Sequence, residues 1–183
     1  MVKDREIVRY VIDNACQNYV EKRVIKSRDL KEYSSVLTDK DCKLFVGDLT
    51  DREKNIIEAQ INGSTLTEWG EKQSISRERA RQISDCANFK IVLRIISDIR
   101  TISDYDDFVS DNEIWRKMDD VISKNATIAE VSEKTGISAP TIAGLKKGNI
   151  KMSAMDVYTI SKALGVTVVD MLTPTRIALG IGG

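Results

Sequence analysis

The sequence predicts an all-α fold: two helix-turn-helix domains in tandem, joined by an acidic linker. Three observations predict it. Apolar residues recur at i, i+3 and i+4 through most of the 183 residues, the spacing of one helical face. Only two prolines, Pro140 and Pro174, interrupt the chain. In two places a pair of short periodic segments flanks a tight turn, with a serine (Ser76, then Ser138) where the second segment needs a cap.

The first element is the stripe Ile7, Val8, Val11, Ile12, Ala15, Cys16, Tyr19 and Val20, one face of a helix of about five turns. It is either core or a dimer seam. Short helices are expected within 24–48. Two similar helix starts follow, Leu37-Thr38-Asp39-Lys40-Asp41 and Leu49-Thr50-Asp51-Arg52-Glu53. In each, the threonine caps the helix and the acid three residues on reaches back to the cap amide. The second of these helices runs to about residue 61, where Asn62-Gly63 ends it. A further helix is expected at 66–72. A third starts at Ser76 and continues through Ile83, Ala87, Ile91 and Ile95 to about Ile99.

Residues 101–112 hold four acids (Asp104, Asp106, Asp107, Asp111), no base and few apolar positions, and read as the linker. A solvated loop within one domain is the alternative. Helices resume at 114–124, 128–134, 139–146, 154–164 and 168–172. Gly136, Gly148 and Gly165 fall at the turns, and Thr127, Ser138 and Ser153 supply caps. Pro140 sits in a first helical turn, where no intrahelical donor is lost. Pro174 ends the last helix, and 174–183 is a Gly-rich, flexible tail. The domains are therefore 1–100, containing a unit at 49–90, and 113–173.

Composition narrows the function. The chain has no histidine, which excludes His-based acid–base and nucleophilic catalysis and zinc sites that need imidazole. Cys16, Cys42 and Cys86 lie far apart and read as buried small hydrophobes rather than metal ligands. No Gly-rich phosphate loop or carboxylate cluster is present. An enzyme is not expected, nor a metal or cofactor. No apolar run is long enough to span a bilayer, and the start of the chain is charged, so a cytoplasmic protein with no membrane partner is expected. The zero net charge hides a local pattern: residues 134–155 carry four lysines (134, 146, 147, 151) and no acid. Local sign matters more for phosphate contact than the sum over the chain.

The C-terminal unit reads Ile128-Ala129-Glu130-Val131-Ser132-Glu133-Lys134-Thr135-Gly136-Ile137-Ser138-Ala139-Pro140-Thr141-Ile142. Small Ser132 lets two helices approach, and Val131, Ile137, Ile142 and Leu145 lock the angle between them. Lys147-Gly148, Ile160-Ser161-Lys162-Ala163-Leu164-Gly165-Val166 and Asp170-Met171-Leu172 follow in order. Over 114–173 the sequence resembles the lambda-repressor/Cro-like (XRE) helix-turn-helix family. The resemblance implies a second helix exposed to the DNA major groove. Its outward positions are Ala139, Pro140, Thr141, Ala143 and Gly144, of which Thr141 alone offers a side-chain hydrogen bond to a base edge. Lys146, Lys147 and Lys151 suit the phosphate backbone, and the capping Ser138 completes the expected DNA-binding set.

The N-terminal unit joins Leu49-Thr50-Asp51-Arg52-Glu53 and Leu66-Thr67-Glu68-Trp69-Gly70-Glu71-Lys72 to Ile75-Ser76-Arg77-Glu78-Arg79-Ala80-Arg81-Gln82-Ile83. Over 49–90 it resembles region four of bacterial sigma factors, which implies a helix-turn-helix that reads promoter DNA. Helical geometry independently turns Ala80, Ile83 and Ala87 inward, and Arg77, Glu78, Arg81 and Gln82 outward. Arginine fits guanine, glutamine adenine and glutamate cytosine. A solvated face of i, i+4 salt bridges is the alternative.

Together these features predict a transcription regulator of phage or mobile-element type that binds double-stranded DNA as a homodimer. The expected seam is the 7–20 stripe, or Ile91, Ile95 and Ile99. The competing arrangement packs the 7–20 face on the sigma-like unit. The competing function is a protein-interaction module, such as an antitoxin or a phage-encoded nuclease inhibitor. Its partner would be a toxin, a nuclease or RNA polymerase, with the other unit autoregulating a promoter.

Overall fold

A computed structural model describes residues 2–111 and 113–168 of the chain, and every regular element among them is helical. The expected tail at 174–183 and the expected helix at 168–172, beyond Val168, lie outside the described residues. The chain divides into two units. The first comprises residues up to 30 with 37–98, and the second 31–36 with the residues from 99 onward.

The first unit opens with α1 (Asp4–Val11), a π-helical turn (Ile12–Cys16) and α2 (Gln17–Glu21). The extra residue of a π turn rotates the apolar stripe. Ile7, Val8, Val11, Ile12 and Cys16 are buried, whereas Ala15, Tyr19 and Val20 are only half-buried. After α3 (Ser27–Ser35), α1 packs on α4 (Asp39–Gly47) and α5 (Asp51–Ile61), and α5 packs on α6 (Leu66–Lys72). The dimer seam expected on the 7–20 stripe is thereby corrected: its apolar face completes the core of its own unit. Ile91, Ile95 and Ile99 of α7 (Arg77–Ser103) are likewise buried within the chain and form no exposed seam.

Local chemistry explains the helix starts. Thr38 and Thr50 accept from the amides of Asp41 and Glu53, whose carboxylates return the bond, the reciprocal boxes the sequence predicts. Thr65 and Glu68 form a third at the start of α6. Polar bonds then tie α5 to its neighbours. Lys54 reaches Asp4 at 2.9 Å, Trp69 Nε1 donates to Asn55 at 2.8 Å, and Ser84 donates to Gln60 at 2.9 Å. Glu53 is also held by Lys90 of α7 at 2.8 Å. Burial alone would resist its ionisation. The bonds from Lys90, Thr50 and Cys86 outweigh that and hold its pKa down to about 2.

The second unit contains α8 (Asp106–Asp111), α9 (Trp115–Asn125), α10 (Ile128–Thr135), α11 (Ala139–Lys146) and α12 (Ala154–Leu164). Its core joins Val109, Ile114, Met118, Ile122, Val131, Ile137, Ile142, Leu145, Val157 and Ile160. The acidic segment expected as a linker is structured here. Its first residues close α7, Val109 of α8 lies in the core, and Asp106 accepts from the Ala154 amide at 2.7 Å, at the start of α12. Four acids in twelve residues concealed one buried valine. Two of the three cysteines, Cys16 and Cys42, are buried as expected, but Cys86 is exposed beside Glu53. Burial pushes the Cys16 thiol up to about 12, so it behaves as an apolar side chain.

Candidate nucleic-acid interface

Each unit places a helix directly after a tight turn. In the first, α6 ends at Lys72 and α7 begins at Arg77. Ser74 takes a left-handed φ of 54°, and the Ile75 amide donates back to the Gly70 carbonyl at 2.9 Å. A Cβ on Gly70 would stand 3.0 Å from the Ile75 carbonyl oxygen, so a larger residue there needs the turn to give by a few tenths of an ångström. Ser76 caps α7 by accepting from the Arg79 amide at 3.1 Å. Ala80, Ser84 and Ala87 are buried, so helical periodicity leaves Arg77, Glu78, Arg81 and Gln82 exposed together, as the sequence predicts.

Glu78, Arg81 and Gln82 form a hydrogen-bonded network with Arg79 and Asp85. Arg81 donates through Nε and Nη2 to the two carboxylate oxygens of Glu78, at 3.0 and 2.8 Å, and through Nη1 to Asp85. Gln82 donates to Glu78 at 3.3 Å and accepts from Arg79 at 3.1 Å. The Arg81 bond holds the Glu78 carboxyl below the usual carboxylate range, and Glu78 in turn raises the Arg81 guanidinium. Arg79 and Asp85 were absent from the sequence-derived site. Their spacing from Gln82 and Arg81, three and four residues, was the available signal.

In the second unit Gly136 ends α10 in the left-handed conformation, and Ser138 caps α11. Thr127 and Ser153 cap α10 and α12 as predicted. The outward side chains of α11 are short. Ala139 and Pro140 are exposed, whereas Thr141, Ala143 and Gly144 are half-buried. The Thr141 hydroxyl lies 2.7 Å from that of Ser138. Ile150 sits against Gly144 so closely that a Cβ there would clash with it at 2.4 Å. Gly148, with a φ of +69°, lies under the ring of Trp115, which a Cβ would meet at 2.9 Å.

The lysines separate. Lys147 and Lys151 are exposed, as is Lys134. Lys146, expected on the phosphate backbone, bonds to Asp119 at 3.3 Å and Ser123 at 3.1 Å of α9, with its side chain 17% exposed. Asp119 lies 27 positions from Lys146 (146 minus 119), beyond any local spacing rule.

A small helical unit with a capped second helix after a glycine turn is the geometry of a helix-turn-helix module. Residues 113–175 match the family model of the Cro/C1-type HTH DNA-binding domain, so this segment is similar to domains of that class and supports DNA binding by the chain. The match does not reach residues 49–90. No curated protein and no solved structure matches the chain. No described helix is long and apolar enough to cross a membrane.

Proposed function

We propose that the chain is a DNA-binding transcription regulator of the phage or mobile-element kind, acting in the cytoplasm as a homodimer without catalysis or cofactor. The similarity of residues 113–175 to Cro/C1-type HTH DNA-binding domains, laid over the α10–turn–α11 geometry, carries this reading. Base selection falls to α7 through Arg77, Glu78, Arg81 and Gln82, in a unit that resembles region four of sigma factors. Ser138, Thr141, Lys147 and Lys151 then contact backbone. Selection of the full-length protein on a randomised duplex pool tests this, followed by gel shifts of the enriched duplex. An enriched motif and an affinity that falls steeply with salt are expected. Absence of any shift at low salt sinks the reading.

A dimer would double an interface that is small for one helix-turn-helix. With the predicted seams buried, we assign the contact with a second copy to Phe89 and Leu93, two of the exposed large apolar side chains, 50% and 48% exposed and four residues apart on α7. Light scattering should give a dimer for the wild type and a monomer for Phe89→Glu; a wild-type monomer removes this part of the reading.

A second reading is favoured by one observation. Thr141 is bonded to Ser138, Lys146 to Asp119, and Gly144 is covered by Ile150, so α11 presents chiefly Ala139, Pro140 and Ala143. Such a face suits a protein surface, as in an antitoxin or nuclease inhibitor, better than base edges. Unchanged affinity for the enriched duplex in Lys147→Ala/Lys151→Ala favours this use of α11. A loss favours backbone contact.

A further inference from the structure

Arg81 lies between two acids of its own helix. Glu78 takes its Nε and one Nη2 proton and Asp85 takes one Nη1 proton. One N–H remains on each terminal nitrogen for an acceptor such as the O6/N7 edge of guanine or the oxygens of a phosphate. All three side chains are more or less half exposed, at 50% for Arg81 and 59% for each acid, so none is fixed by burial. What positions the guanidinium is the pair of carboxylates.

Resting on the reading of α7 as the base-contacting helix, we propose that Asp85 is a specificity-determining positioning residue, which holds the Arg81 fork ready for a neutral base edge and repels phosphate from it. A guanine edge brings two acceptors and no net charge. A phosphate brings a third anion beside Glu78 and Asp85. Coulomb repulsion at these distances, screened but not abolished by water, penalises the phosphate and spares the base. Gln82 is held in the same way, its amide nitrogen on Glu78 and its carbonyl oxygen on Arg79. The network therefore lowers sequence-independent attraction at the face of α7 that offers long hydrogen-bonding side chains to base edges.

The test compares Asp85→Asn with Asp13→Asn in the full chain, on the enriched duplex and on a random-sequence duplex of equal length. Asp13→Asn removes the same charge from an exposed position of the π turn. Asp85→Asn should raise affinity for the random duplex roughly threefold at low salt, as the loss of one exposed ionic partner allows. It should steepen the salt dependence by about one phosphate equivalent, and it should shrink the ratio between enriched and random duplex. Asp13→Asn should do none of these to the same degree. Random-duplex affinity unchanged by Asp85→Asn, or an equal gain from Asp13→Asn, overturns the proposal. Arg81→Ala on the enriched duplex separates the two levels. If it costs affinity while Asp85→Asn is silent, only the role of Asp85 falls. If it costs nothing, the reading of α7 falls as well.

Discussion

The helices α7 and α11 occupy equivalent places, each beginning with a capping serine after a tight turn, yet they carry opposite chemistry. The face of α7 is long-chained and charged, with acids and bases interlocked on one helix. The face of α11 is short-chained, and the cation in its last turn, Lys146, is drawn to α9. On the proposed function, a shared start of capping serine after a tight turn does not confer equivalent reading power. Hydrogen-bonding side chains distinguish base pairs, while alanine, proline and glycine at most touch a thymine methyl or follow groove shape.

The largest expected effect concerns the frame of the second face. Leu145 is fully buried in the core beneath α11, so Leu145→Ala should destabilise the protein by about 2–5 kcal/mol in denaturant unfolding. A loss under about 1 kcal/mol would mean that α11 is not anchored through its apolar face.

The comparison itself is tested on DNA. Arg81→Ala should weaken the enriched duplex by about 1–3 kcal/mol and random duplex much less. Lys147→Ala should weaken both alike, by roughly 1 kcal/mol, and lower the salt slope by about one. The reverse pattern would move specificity to α11.

The frame of the first face is pH-sensitive. Because Glu53 has a folded pKa near 2, below its ordinary 4.5, its contribution is complete above the higher value and is lost as pH falls toward the lower. The stability so lost is roughly 3 kcal/mol, to be read by urea unfolding across that window. Glu53→Gln should flatten this part of the profile. An unchanged profile would show that the Lys90 bond to Glu53 does not anchor α7 to α5.

The smallest effect sharpens the contrast between neighbours. Lys146→Ala should change duplex affinity by less than about 0.5 kcal/mol, a fraction of the Lys147→Ala loss, because Lys146 is already engaged with Asp119. Equal losses for the two lysines would place Lys146 on the backbone after all.

Features that depend on residues within one helical turn were legible in the sequence. The boxes at Thr38 and Thr50 and the caps at Thr127 and Ser153 form as the sequence predicts, and Gly136 and Gly165 end helices in the left-handed conformation. The bounds of α6 and the outward set on α7 belong to the same class. The sequence alone therefore determined the all-helical class, the order of the helices from α4 to α7 and from α9 to α12, and the exposed Arg77, Glu78, Arg81 and Gln82 on α7. Only the tertiary structure decided which apolar faces are covered. The 7–20 stripe could have been a seam until α4 and α5 were seen to lie on it, with a π turn rotating its lower half. Val109 could not be placed in the core from its acidic surroundings, nor Lys146 on Asp119. The physical reason is range. Caps, turns and periodicity are set by neighbours at i+3 and i+4, whereas burial and cross-helix ion pairs depend on residues brought together by packing, which local spacing does not encode.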